Sequence, residues 1–177
     1  MLLYRFKLFA LTAIFVLTVS ASSQKESVKA IKKITPLLST REDVLEAMGK
    51  PVDDPKHSSS WFYNFKDGRV NIIFEDGNCV WQSGTQTWSG WKVSEGTAVS
   101  VSLWFSVPVK PSKIGVDLSR LTKVKIGGDP SSYEYSDAKN GLIYNVNNGK
   151  ILDIDRVPRE DQLPLKCSSK SPEGLDY

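Results

Sequence analysis

Hydrophobic and polar positions alternate most clearly between Trp61 and Trp81, in short runs separated by Asp67-Gly68 and Asp76-Gly77. An Asp-Gly pair between apolar runs is a strong hairpin signal, because a tight two-residue turn needs positive φ at both positions. A loop at Asp67-Gly68 sets Phe65 opposite Val70, Tyr63 opposite Ile72 and Trp61 opposite Phe74, all on one side. The other side carries Lys66 with Arg69, Asn64 with Asn71, and one apolar pair, Phe62 with Ile73. A second loop at Asp76-Gly77 sets Phe74 opposite Cys79 and Ile72 opposite Trp81. The pattern predicts a three-stranded meander with one dry face and one mostly wet face.

A weaker copy spans Tyr133 to Ile154, where Asn140-Gly141 and Asn147-Asn148-Gly149 flank the strand-like Leu142 to Val146. A three-residue second turn pairs Tyr144 with Leu152 and Leu142 with Ile154, whereas a two-residue turn sets Tyr144 against Asp153 and Leu142 against Asp155. The longer loop, with Gly149 left-handed, keeps one face apolar and is preferred. Gly49-Lys50-Pro51 precedes the first copy and Gly127-Gly128-Asp129-Pro130 the second, so the chain reads as a degenerate internal duplication. Between the copies, at 82–111, lies a polar loop carrying Trp88 and Trp91, then a period-two strand closed by Pro108 and Pro111. Val99, Val101, Leu103, Phe105 and Val107 share one of its faces, and Ala98, Ser100, Ser102, Trp104 and Ser106 the other.

Upstream of the first meander, Gln24 to Lys33 is polar and reads as a loose arm or an edge strand. Ser39-Thr40-Arg41-Glu42 is a capping box with Ser39 as N-cap and Glu42 at N3. Val44, Leu45 and Met48 make the core-facing stripe, Gly49 suits the C′ position and Pro51 stops the helix. A helix of about ten residues is unstable alone, so its stripe must pack on the meander. Lys113 to Lys125 is its counterpart in the second copy. There Gly115, Val116, Thr122 and Val124 weaken the helix, and Asp117 or Ser119 caps a short turn.

Ile34-Thr35-Pro36, the run Ser39 to Pro51, and Trp61-Phe62-Tyr63 followed by a hairpin together resemble the SmpA/OmlA (BamE-like) envelope proteins. The duplicated layout is similar to the β-lactamase inhibitor protein fold. The resemblance implies an α+β fold of two tandem helix-plus-antiparallel-sheet units. It also implies a role in the bacterial cell envelope. Leu37-Leu38 stands where that family carries a Gly-containing turn, and its lipid-anchor Cys has no counterpart here. The expected division is 1–21 signal peptide, 34–81 BamE-like unit, 82–111 Trp-containing loop and connecting strand, 112–157 degenerate second repeat, and 158–177 C-terminal tail.

The signal peptide is read from Arg5 and Lys7, the apolar Leu8 to Val19, and small residues at Val19-Ser20-Ala21. Its apolar run is shorter than the roughly 20 residues that span a bilayer, so the expectation is a periplasmic or secreted protein without a transmembrane segment after cleavage. Basic and acidic residues then nearly balance, and no basic stripe is present, which argues against nucleic acid as a partner. In an oxidising compartment Cys79 and Cys167 are a disulfide candidate; two separate thiols are the alternative.

Candidate chemistry is sparse. His57, the single histidine, sits with Asp53, Asp54 and Ser58 to Ser60 in a polar loop. This reads as a solvated surface loop; the alternative is a base with its acidic orienter beside the serines, and too few ligands are present for zinc. Asp153 and Asp155 lie roughly 7 Å apart along one strand, with nothing nearby to suggest a sugar cleft. No metal site, cofactor loop or nucleophile motif appears. Trp88, Trp91 and Trp104 remain: rings in a polar loop and on a Ser-lined strand face, either packed on one another or forming a binding platform. The expected function is a non-catalytic exported module that binds a protein or an envelope component. The alternative is a small periplasmic hydrolase using His57 and the neighbouring acids.

Overall fold

The computed structural model describes residues 23–52, 58–77, 79–82 and 87–167. The expected signal peptide at 1–21, the loop residues Asp53, Asp54 and His57, and the end of the tail lie outside the described residues. In chain order the elements are α1 (Ser23–Lys32), α2 (Arg41–Met48), β1 (Ser60–Phe65), β2 (Gly68–Phe74), β3 (Val80–Gln82), β4 (Thr87–Ser89), β5 (Ala98–Val109), β6 (Thr122–Lys125), β7 (Ser132–Asp137), β8 (Leu142–Asn147) and β9 (Lys150–Arg156). Short 3-10 turns lie at Pro111–Ile114, Leu118–Arg120 and Glu160–Leu165.

Seven strands join in one sheet, ordered β1-β2-β5-β9-β8-β7-β6, with every neighbouring pair antiparallel; β3 and β4 form a separate ribbon. This overturns the two tandem helix-plus-sheet units. The long strand β5 pairs with β2 on one side and β9 on the other, fusing the two halves through Val70, Leu103 and Ile154, which lie in one row. The second half has no α-helix: between β5 and β6 the chain forms only the two 3-10 turns, the second capped by Asp117 accepting from the Ser119 backbone N–H. Gly115 sits at left-handed φ between them, and the β-branched residues that follow enter edge strand β6, where their χ1 stiffness is no handicap.

One face of the sheet is the core. Trp61, Tyr63, Val70, Ile72, Val101, Leu103, Tyr144 and Ile154 are all buried on it, and α1 and α2 cover it with Val28, Ile31 and Val44. The segment expected as an arm is therefore helix α1. Its sequence signal is thin: Val28 and Ile31 alone make an i, i+3 stripe, too short to stand out from the polar residues around it. Tertiary contacts complete it. The buried Ser27 hydroxyl donates to the Asp67 carboxylate at 2.8 Å, and the Arg156 guanidinium donates to the Ile31 carbonyl at 3.1 Å in the last turn. In α2 the capping box is Thr40 with Asp43, one residue later than expected from Ser39 and Glu42. Ser39 is instead buried, its hydroxyl accepting from the Thr35 N–H at 2.9 Å. Val44 points into the core while Leu45 is exposed.

The first hairpin keeps its predicted faces but not its register. Phe65 pairs with Gly68, Tyr63 with Val70 and Trp61 with Ile72, so the loop residues are Lys66 and Asp67. A shift of two residues leaves every side chain on its expected side, since the strand period is two. Gly68 is not at positive φ; a β-carbon there would collide with the Trp104 carbonyl oxygen of β5. Its role is close strand approach rather than turn geometry. Gly68→Ala is thus expected to lower stability by about 1–3 kcal/mol through forced strand separation, measured by urea titration. An unchanged midpoint would show that β2 and β5 have slack at this point.

The third strand of the predicted meander is not there. After Phe74 the ladder continues to β5, with Phe74 opposite Ala98 and the Glu75 N–H donating to the Thr97 carbonyl. Cys79 and Trp81 belong to the excursion between β2 and β5, where Trp81 pairs with Trp88 through the backbone of the ribbon. Cys79 is half-buried off the core face and is joined to the buried Cys167 by a disulfide with a Cα–Cα distance of 5.6 Å. The same tail segment is bound by the buried Gln162 amide, which donates to the Pro36 carbonyl at 3.0 Å, and by backbone bonds from Lys92 to Leu165 and from Cys167 to Gly90.

The second hairpin solves its face problem differently from expectation. Asn148 and Gly149, both at positive φ, form a two-residue turn closed by Asn147 and Lys150. A bulge between Asn145 and Val146 then restores phase, placing Tyr144 opposite Ile154 rather than Leu152. Apolar continuity across the sheet is kept by one extra residue in β9, not by a longer loop.

Candidate functional site

The opposite face of the sheet is open. One row crosses it through Asn64, Arg69, Trp104, Asp153, Asn145, Glu134 and Val124, and the next through Phe62, Asn71, Ser102, Asp155, Ile143, Ser136 and Thr122. None of these fourteen residues is buried. Trp104, in β5, the third of the seven strands, is 42 % exposed, with Arg69 and Asp153 as its lateral neighbours. Its neighbours two residues away along β5 are Ser102 and Ser106, so the ring stands above short side chains.

The surroundings of Trp104 are ordered by local contacts. Arg69 lies over the Phe62 ring, its guanidinium carbon 4.1 Å from the ring centre, a cation–π contact that ties the cation to its neighbour on β1. On the other side the Asn145 amide donates to Asp153 at 2.5 Å. Burial pushes the Asp153 carboxyl above its usual range; the Asn145 hydrogen bond opposes this and the Asp155 charge adds to it. Between Phe62 and Ser102, the Asn71 side-chain oxygen is buried without a donor. Ile73 extends the apolar portion at 41 % exposure.

The described residues show no ring contact between Trp91 and Trp104, two of the three rings of the expected platform. Trp104 has the exposure a binding anchor needs. Trp91 is half-buried beside the tail, bridged through its backbone to Lys166, and among the described residues neither it nor Trp104 contacts another aromatic ring. The Trp88 side chain lies outside the described residues. Sequence reasoning missed Arg69, Phe62 and Asp153 as the company Trp104 keeps. The signal for two of them was present in the Phe62–Ile73 and Lys66–Arg69 pairs on the wet side of the first hairpin, but only the β2–β5 pairing brings that side next to Trp104.

Among the described residues no group of three or more His, Cys, Asp or Glu side chains is placed to hold a metal ion. No helix there is long and apolar enough to cross a membrane. No protein-family model, curated protein or solved structure matches the chain.

Proposed function

We propose that the chain is an exported, non-catalytic binding module of the bacterial envelope, and that a protein partner docks on the open sheet face around Trp104. The observation that carries this reading is a tryptophan 42 % exposed on an interior strand of a sheet face on which no paired residue is buried. Leaving so large a ring in water forgoes the gain of burying it. Tryptophan and arginine are the residues most enriched where interface energy concentrates. Serines and asparagines around them add adaptable hydrogen bonding, as in other recognition surfaces. The envelope role itself rests on the BamE-like resemblance of the Ile34 to Tyr63 region. Leu37, standing where that family has its Gly-containing turn, adopts left-handed φ of 63° and is held there by a buried side chain and an N–H bond to the Ala98 carbonyl.

Trp104→Ala is expected to change folding stability by less than about 0.5 kcal/mol. It should weaken partner binding by about 2 kcal/mol or more, roughly thirtyfold. Parallel pull-downs from envelope extract with wild-type and variant protein, scored by quantitative mass spectrometry and paired with urea titrations, make the comparison. A variant that loses several kcal/mol of stability yet recovers the same partners would assign Trp104 to the core and overturn the reading.

A further inference from the structure

On the helix side of the sheet, away from Trp104, a groove of about 310 Å³ runs between α1 and the 3-10 turn at Pro111–Ile114. Val28 and Ile114 form its apolar floor, and Lys29, Lys32 and Lys113 stand exposed on its rim. Lys29 and Lys32 share one side of α1, three residues apart, and suit the negative end of its dipole. Lys113 comes from a different segment, and that dipole does not account for it. Among the described residues none of the three lysines makes an ion pair. Three cations of one sign around a common apolar floor complement an anionic occupant with an apolar part.

The depth of the groove selects the kind of occupant. Beneath it a void of about 30 Å³ shares Val28, Lys32 and Ile114 and is closed by Ile31, Tyr144 and Ile154. That is room for one small group, about the share of a single water in the liquid. A long acyl chain has no tunnel to enter, whereas an aliphatic side chain needs none.

We infer that this groove docks an acidic segment of a partner polypeptide, its carboxylates on Lys29, Lys32 and Lys113 and one aliphatic side chain over Val28 and Ile114. The site is independent of the Trp104 face and stands or falls separately from it. Its small size makes it a weak, salt-sensitive contact.

The test uses a fluorescein-labelled peptide of alternating glutamate and leucine, titrated against the mature protein at low ionic strength and followed by anisotropy. Saturable binding is expected, weakening as salt is raised. The triple variant Lys29→Glu, Lys32→Glu, Lys113→Glu is expected to weaken it at least about tenfold, and Lys150→Glu, at the β8–β9 turn, less than about twofold. Circular dichroism and a thermal melt check that the triple variant is folded; should it not be, Lys113→Gln alone, expected to weaken binding about threefold, decides. Equal binding of the matching lysine–leucine peptide, or unchanged binding by the variants, overturns the inference. So does co-sedimentation with phosphatidylserine-containing vesicles that is lost in the triple variant while the glutamate–leucine peptide fails to bind; that outcome assigns the lysines to a lipid surface.

Discussion

Replacing Trp61 by alanine is expected to lower the unfolding free energy by about 3–5 kcal/mol, the range for removing a large buried aromatic side chain. Trp61 is 2 % exposed and meets Phe74 edge-to-face with ring centres 4.7 Å apart. The Arg41 guanidinium lies over both rings, 5.0 Å from the Trp61 centre and 4.4 Å from that of Phe74, and donates to the Ser58 carbonyl at 2.9 Å. Alanine would open a cavity and remove one of the two aromatic faces on which that cation rests. Against a typical domain stability of about 5–15 kcal/mol, such a loss is a large fraction of the whole. It corresponds to a melting temperature lower by roughly 10 °C. Trp61→Phe, which keeps a ring against Phe74, should recover more than half of the loss. Urea titration with a tryptophan-independent signal such as circular dichroism makes the measurement; a cost below about 1 kcal/mol would place Trp61 outside the cooperative core.

Removing the Cys79–Cys167 disulfide is expected to cost about 2–5 kcal/mol. The two cysteines are 88 residues apart, so the bond closes a loop containing β3 to β9. In the chain-entropy account, closing so long a loop restricts the unfolded chain by an amount worth up to about 4–5 kcal/mol. The double variant Cys79→Ser, Cys167→Ala suits the two sites, because Cys167 is buried and a hydroxyl there would need a partner. Its unfolding midpoint in urea should fall markedly. Hydrogen exchange should quicken first at the backbone N–H groups of Lys92 and of the alanine replacing Cys167, whose bonds to the Leu165 and Gly90 carbonyls hold the excursion to the tail. An equilibrium cost under about 0.5 kcal/mol would show that these bonds and the Gln162 contact suffice without the covalent link.

Face assignment was legible through the middle of the strands but failed at the ends of β5, where Ala98 is buried and Val107 is exposed against the expected alternation. Trp61, Tyr63, Val70, Ile72, Val101 and Leu103 are buried where alternation put them, and Trp104 is exposed where it stood among serines. Parity survives a register shift of two, which is why the first hairpin could slip without inverting its faces. Helices were legible only in part, since α1 forms on a thin stripe that tertiary contacts complete. The Ser39–Glu42 region carries a helix even though its cap moved by one residue, while Gly115 and its β-branched neighbours do not.

Partner choice between strands was not local. Asp76-Gly77 signals a tight hairpin, yet the segment beyond it contributes only the short strand Val80–Gln82, whereas β5 presents twelve residues with buried Ala98, Val101, Leu103 and Phe105 along them. The longer apolar row wins β2, and the two expected units become one sheet. That same long-range pairing sets Arg69 on one side of Trp104 and Asp153 on the other, so the composition of the open face is a property of the tertiary fold. The individual residues and their faces follow from spacing along the chain, because steric alternation acts between neighbours. Which strands meet depends on apolar surface gathered from residues far apart in sequence, and only folding brings those together.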